Sequence, residues 1–401
     1  MIPEAQDSRP GYILPIIVLS QFAGTSLWFA TNAVLPDLRQ AWQLPAETVG
    51  YVTSAVQLGF IIGTLVFAVL TISDRYSPRL LFFISSLIGS GLNLCIYLFA
   101  EGFPSLLVLR FLTGVCLAGI YPVGMKIASG WYREGLGTAL GFLVGALVVG
   151  TSFPHLLRSF TEGVHWQSVI IAVSCISLGG GVLMLMFVPD GPNLVPAPPL
   201  SAKALPLIYS SKELRAAAFG YFGHMWELYT FYAFVPLMLT SFIVTHPQDN
   251  IDVSLWSFLI IAAGGLGCAG GGILARRLGS ARMAFVFLLI SGLCCLFSPL
   301  FFELPKGMFL GLFCLWGIVV VGDSPQFSAL IAGSAPQGLV GSALTVGNSI
   351  GFAITIISIE AVSYLSHFIS PERVFLVLAI GPASGLFALR PLLKKPVRNQ
   401  T

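Results

Sequence analysis

Charge is what this chain has least of. Asp, Glu, Lys and Arg make up 9% of its 401 residues, against 56% apolar types. No soluble core hides that much apolar surface behind so few charges, which excludes an ordinary water-soluble globule. A net charge of +3 spread over such a length also excludes a basic nucleic-acid surface. Seven cysteines (Cys95, Cys116, Cys175, Cys268, Cys294, Cys295, Cys314) fall inside apolar runs at no metal-ligand spacing. They exclude a disulfide framework and a zinc site, and are expected as small packing residues. The five histidines, His155, His165, His224, His246 and His367, are scattered without a nucleophile beside them, so no enzyme is expected. "GGLGCAGGG" (264–272) follows no strand and precedes no Gly-Lys-Ser/Thr, so it signals tight packing or a flexing gate, not a phosphate cradle. No cofactor or metal is expected. The opening "MIPEAQDSRPGY" lacks the basic start and small-residue cleavage site of a signal peptide, leaving insertion to the first span.

What is present is a series of long apolar runs. A helix needs about 20 apolar residues to cross a hydrocarbon layer about 30 Å thick, because each backbone N–H and C=O must be satisfied within it. Twelve stretches qualify, at 12–35, 46–70, 80–100, 104–126, 135–156, 166–188, 216–242, 253–275, 282–302, 307–331, 338–360 and 372–392. The sequence therefore predicts an all-α polytopic membrane protein. With both termini inside, fifteen of the twenty basic residues fall on the inner side, Arg9, Arg133, Lys394, Lys395 and Arg398 among them. Outer loops hold four, Arg39, Arg158, Lys306 and Arg373, while Arg110 lies within a span. Basic residues are retained on the cytoplasmic side, so both termini are expected there, in a cytoplasmic (inner) membrane.

Between the sixth and seventh runs, the proline-rich, basic stretch 189–215 divides the chain into halves 1–188 and 216–401. The halves echo one another. Gly114, Gly119 and Pro122 of "GVCLAGIYP" repeat at an offset of 203 as Gly317, Gly322 and Pro325 of "GIVVVGDSP". "GTAL" at 137 is followed at offset 204 by "GSAL" at 341. Paired repeats of this kind build one midplane site that faces either side as the halves rock, which argues for alternating access.

Span number, linker position and two motifs make the chain similar to the major facilitator superfamily along its whole length. "DRYSPR", with Asp74, Arg75 and Arg79, resembles the family's loop motif, although Ser77 and Leu70 replace expected glycines. A degenerate copy, "RRLGSAR", keeps Arg277, Gly279 and Arg282, with Arg276 where the acid belongs. The resemblance implies an inner gate latch. Physically, carboxylate–guanidinium pairs at a bilayer surface can lock helix ends in one state, while the alternative is that these arginines only set topology. "LVLRFLTGVCLAG", with Arg110 four residues before Gly114, is similar to the family's arginine-bearing fourth helix. A buried arginine costs at least about 2.5–3.5 kcal/mol on insertion scales, so Arg110 is expected at a wet cavity or an acid, or else snorkelling to the surface. The fifth run carries Gly137, Gly141 and Gly145 on one face, read as a close helix approach. The glycine–proline pattern of the family's antiporters is only partly kept, with Pro154 one position early.

Candidate pathway residues follow from polar stripes. Gln21, Thr25, Trp28 and Asn32 form one helical stripe that lipid would not tolerate, so it lines a cavity or glues helices. In the seventh run His224 and Glu227 share a face, with Tyr221, Tyr229 and Tyr232 around them. Gln57, Tyr121 and Asn348 are further candidates. Glu227, Asp323, His224 and Arg110 are the expected proton-coupling groups, because an acid at the midplane can gain and lose a proton as its hydration changes. Asp323 also precedes Pro325, which cannot donate to the carbonyl of Val321. The carboxyl is thus expected either at a charge-sensitive hinge, bonding the freed carbonyl, or as a neutral pin of a kink.

These features, with the resemblance, imply two six-helix bundles, a small-molecule substrate, protons and the bilayer as partners, no nucleic acid, and a monomer. The expected activity is secondary active transport of a small neutral, zwitterionic or cationic organic solute. A multidrug/proton antiporter and a transporter-like sensor are the alternatives.

Overall fold

The computed structural model describes residues 10–45, 47–132, 135–161, 165–194, 200–201, 203, 206 and 211–393. Arg9, Arg133, Lys394, Lys395, Arg398 and much of the proline-rich linker lie outside the described residues. The apolar runs become twelve helical spans, with no strand among the described residues. They are span 1 (Ile13–Trp42), span 2 (Thr48–Val69), span 3 (Pro78–Phe99), span 4 (Phe103–Trp131), span 5 (Leu136–Phe160) and span 6 (Gln167–Phe187). The second series is span 7 (Lys212–Thr245), span 8 (Val253–Leu278), span 9 (Ser280–Phe301), span 10 (Lys306–Ser334), span 11 (Val340–Leu365) and span 12 (Pro371–Leu393). Each overlaps its expected run; spans 1 and 7 extend furthest beyond it, because polar residues continue the helix past the apolar stretch.

An even number of crossings puts the start of span 1 and the end of span 12 on one face, here the terminal face; the other is the far face. Spans 1–6 pack mainly on one another, as do spans 7–12. The halves meet along two seams, span 5 against span 8 and span 2 against span 11.

Several spans are broken at mid-depth, where the sequence withdraws backbone hydrogen bonds. Span 4 breaks at Ala118–Ile120 and span 10 at Asp323, and a proline opens the second helix in each, Pro122 and Pro325. Ile120 and Asp323 stand at the repeat offset of 203. Span 1 breaks at Ser26–Phe29, where the hydroxyls of Thr25 and Ser26 donate back to the carbonyls of Gln21 and Ala23, at 2.8 and 2.6 Å.

The repeated glycines set the packing within each half. A methyl on Gly114 would stand 2.1 Å from the carbonyl oxygen of Val56 in span 2, and one on Gly317 would stand 1.9 Å from that of Ile260 in span 8. Spans 2 and 4, and equivalently 8 and 10, are therefore in backbone contact. Span 5 differs from expectation. Gly137 and Gly141 have nothing nearby, and Gly145 reaches only the Gly265 carbonyl at 3.9 Å. Close approach falls instead on Gly150, where a methyl would meet Thr25 Oγ1 at 2.3 Å.

Candidate functional site

The breaks in spans 4 and 10 flank a cavity between the halves. Its walls are Tyr121 of span 4; Val144, Leu147, Val148 and Thr151 of span 5; Tyr221, Met225, Leu228, Tyr229 and Tyr232 of span 7; Val321, Ser324 and Ser328 of span 10; and Asn348 and Phe352 of span 11. The space within it that the centres of water molecules could occupy is about 40 Å³. Spans 7 and 11 run from the terminal face and span 10 runs towards it, so these residues occupy the middle and terminal-face half of the protein.

Aromatic rings close the far side. Trp28, at the break of span 1, stacks across the halves on Tyr229 (centroids 5.7 Å apart) and Phe352 (5.8 Å), with Phe60 packed on Phe352 at 4.7 Å. Aromatic pairs of this geometry contribute about 0.5–1.5 kcal/mol each beyond their burial. Beyond them, polar contacts join the halves at the far face. Ser54 donates to Glu360 at 2.6 Å, Ser159 donates to Asp252, and His367 Nε2 lies 2.6 Å from Glu47. At the terminal face the halves touch where Arg276 donates to Thr138.

Arg110 is fully buried and donates to the carbonyl oxygens of Leu27 (3.0 Å) and Trp28. It holds the carbonyls that the break in span 1 strips of helical partners, and so sets the backbone that carries Trp28. Among the described residues its guanidinium meets these carbonyls and no acid.

Asp323 and His224 are brought together, with Oδ1 2.8 Å from Nδ1. Neither atom has an aligned hydrogen bond, so the two groups are in close contact without one. The Val321 carbonyl, expected to face Asp323, instead accepts from the Asp323 N–H and from Cys268 Sγ of span 8 at 3.5 Å. Glu227 points to the other side of span 7, into the second half. It accepts from Ser291 and from Cys295 Sγ (3.3 Å), and Trp316 Nε1 donates to Ser291 at 3.2 Å.

Tyr121, Tyr221, Tyr229, Tyr232 and Asn348 line the cavity. Asn32 Nδ2 donates to Thr53 Oγ1 at 2.8 Å, while its Oδ1 is buried with no partner among the described residues. Gln21 and Gln57 are buried with amides that have no partner among the described residues. A methyl on Gly124 of span 4 would meet Gln21 Oε1 at 1.9 Å, which places that amide between spans 1 and 4.

At the terminal face Asp74 pairs with Lys126 of span 4, and Lys126 also donates to the Ser73 carbonyl at 2.6 Å. Arg75 donates to Thr71 at 3.1 Å, and Arg277 and Arg282 are exposed.

With this geometry in view, residues 17–359 match the Major Facilitator Superfamily. The chain belongs to that superfamily. Among its relatives in it, an uncharacterized transporter of Schizosaccharomyces pombe is 25% identical over 362 residues, 87% of this chain and 66% of the relative. The probable sulfoacetate transporter SauU of Cupriavidus necator is 24% identical over 291 residues, 64% of this chain and 65% of the relative. The chain thus spans slightly under two thirds of the length of these curated relatives. A bacterial homologue of the human lysosomal transporter Spinster, solved in an inward-facing and unoccupied conformation, superposes with a TM-score of 0.74. The match covers 97% of this chain and 100% of that one at 14% identity, a likeness of fold.

Sequence reasoning missed several of the residues this superfamily member uses to assemble the site. Phe352 reads as one more apolar residue of its span, and its place under Trp28 carries no local signal. Lys126 and Glu360 were visible as charges at the ends of apolar runs, but their partners Asp74 and Ser54 lie on other helices.

Proposed function

We propose that this superfamily member is a secondary transporter that carries a small organic solute by alternating access, coupled to protons. The halves 1–188 and 216–401 rock about the linker 189–215, the terminal face is cytoplasmic, and the membrane is the bacterial-type cytoplasmic membrane. The observation that carries this reading is a cavity between the halves, shut on the far side by Trp28, Tyr229 and Phe352, with Val321 and Ser324 in its wall on either side of the helix break at Asp323, which itself does not line it.

The proton site in this reading is the Asp323–His224 contact, with Glu227 as the second buried acid. A proton gained or lost at this contact changes the net charge that the low-dielectric interior must hold, and so biases whether the two groups stay together as the halves move. Each proton entering with the membrane potential supplies about 2.3 kcal/mol per 100 mV. Arg110 acts here through position, holding the backbone of Trp28 where the far side closes. Asp74, Arg75, Arg79, Arg277 and Arg282 form the cytoplasmic gate surface, with Lys126 as the counter-ion of Asp74.

The test is a panel of solutes on proteoliposomes with a pH dye inside. The expected result is solute movement that carries protons and that an imposed pH gradient drives uphill. Solute movement indifferent to every imposed proton gradient would remove the coupling; no protein-dependent movement of any solute would remove transport.

A further inference from the structure

Resting on the transport reading, we propose that the solute is an uncharged single-ring aromatic compound bearing a hydrogen-bond acceptor. None of the residues that line the cavity is charged. Asp323 lies against His224 at 2.8 Å, Glu227 accepts from Ser291 and Cys295, Arg110 donates to the carbonyls of Leu27 and Trp28, and His155 of span 5 is buried outside the lining. An anion or cation drawn into the cavity would leave its hydration behind and meet no counter-ion, whereas a neutral ring gives up little.

The walls favour a flat apolar body. Tyr221, Tyr229, Tyr232 and Phe352 offer ring faces and edges, and Leu147 and Val148 oppose them from the other half. One polar feature asks for a partner. Tyr232 is 2% exposed, and its hydroxyl has no hydrogen-bond partner among the described residues. A buried O–H without an acceptor is costly, and Tyr232 lines the cavity, so a turn of its side chain into that space lets an acceptor on the solute satisfy it. Asn348 of span 11, also in the lining, can meet a second polar edge.

The probes are four radiolabelled compounds of similar size: benzamide, benzoate, benzylamine and cyclohexanecarboxamide, each in equilibrium dialysis with the full chain in nanodiscs at neutral pH. Benzamide is expected to be retained about tenfold more tightly than the anion, the cation or the saturated ring. Tyr232→Phe keeps the ring, removes only the O–H, and is expected to weaken benzamide several-fold with an unchanged thermal midpoint. Equal or tighter retention of benzoate, benzylamine or cyclohexanecarboxamide would overturn the proposal, as would no retention of benzamide at millimolar concentration. Indifference of benzamide to Tyr232→Phe would overturn the acceptor.

This outcome separates from that of the transport reading. Benzamide retention with no protein-dependent exchange across a liposome wall leaves the aromatic site standing and removes transport. Protein-dependent exchange of sulfoacetate with no benzamide retention does the reverse.

Discussion

Asp323 of span 10 and His224 of span 7 lie 2.8 Å apart with side chains no more than 1% exposed. The contact joins the broken helix to an unbroken one. Replacing the acid by its amide keeps the volume and removes the proposed proton site. Asp323→Asn is therefore expected to reduce uphill accumulation under a pH gradient by about tenfold or more, while solute exchange at equal concentrations persists. Loss of both activities together would assign the contact to folding.

Glu227→Gln tests the second acid. The amide oxygen still accepts from Ser291, so the buried network survives and the thermal midpoint is expected to stay within a few degrees. Gradient-driven accumulation is expected to fall as for Asp323→Asn. A variant that still concentrates solute would leave Glu227 a structural group of the second half.

Arg110→Ala strips the partners from the Leu27 and Trp28 carbonyls inside a closed bundle. Each unsatisfied buried acceptor costs about 1–3 kcal/mol. The variant is expected to lose at least about 2 kcal/mol in denaturant unfolding, and Arg110→Lys, with one compact ammonium for two acceptors, to lose part of that. Wild-type stability in Arg110→Ala would mean that water takes the place of the guanidinium.

Two glycines of similar appearance should behave oppositely. Gly114→Ala would drive a methyl to 2.1 Å from the Val56 carbonyl, backbone that cannot yield unless spans 2 and 4 separate. Gly141→Ala meets nothing within 4 Å. Folded yield by size-exclusion chromatography is expected to collapse for the first and to hold or rise slightly for the second.

Glu47 and His367 supply a pH dependence at the far face. Hydrogen bonding to its own backbone N–H holds Glu47 below the ordinary 4.5, opposed by desolvation and helped by the charges of His367 and Arg39. A lowered carboxyl value means that the stability contributed by its ionised form is present above 4.5 and lost as pH falls through the lowered value, and only the part of it due to His367 bears on the closed far face. Spin labels on the far ends of spans 2 and 11 should report wider separation only at such acid pH, and Glu47→Gln should show it at neutral pH. Identical distances in wild type and variant at both pH values would leave the contact without weight in closure.

Much of the architecture was legible because the bilayer imposes it locally. A run of apolar residues long enough to cross must be helical, and the pairing of Gly114 with Gly317 could be read as a repeat before any packing was known. The candidate site was legible in part. Tyr221, Tyr229 and Tyr232 sit at helical spacings that show one wall. Arg110 was legible as a buried charge, but its partners are backbone carbonyls exposed by a break in another helix, and no residue pattern announces those. Gly141 reads like Gly114 in sequence, and only the neighbour it meets separates them.

By itself the sequence determined the twelve crossings, the two related halves and the positions where proline and hydroxyl side chains loosen a helix, since each follows from hydrophobic length or from a backbone hydrogen bond withdrawn within one turn. Only the tertiary structure decided that Asp323 meets His224, that Glu227 turns away into the second half, and that Trp28 closes against Tyr229 and Phe352. Those relationships depend on the rotation and depth of whole helices, which the summed packing of many side chains sets and no single stretch of chain encodes.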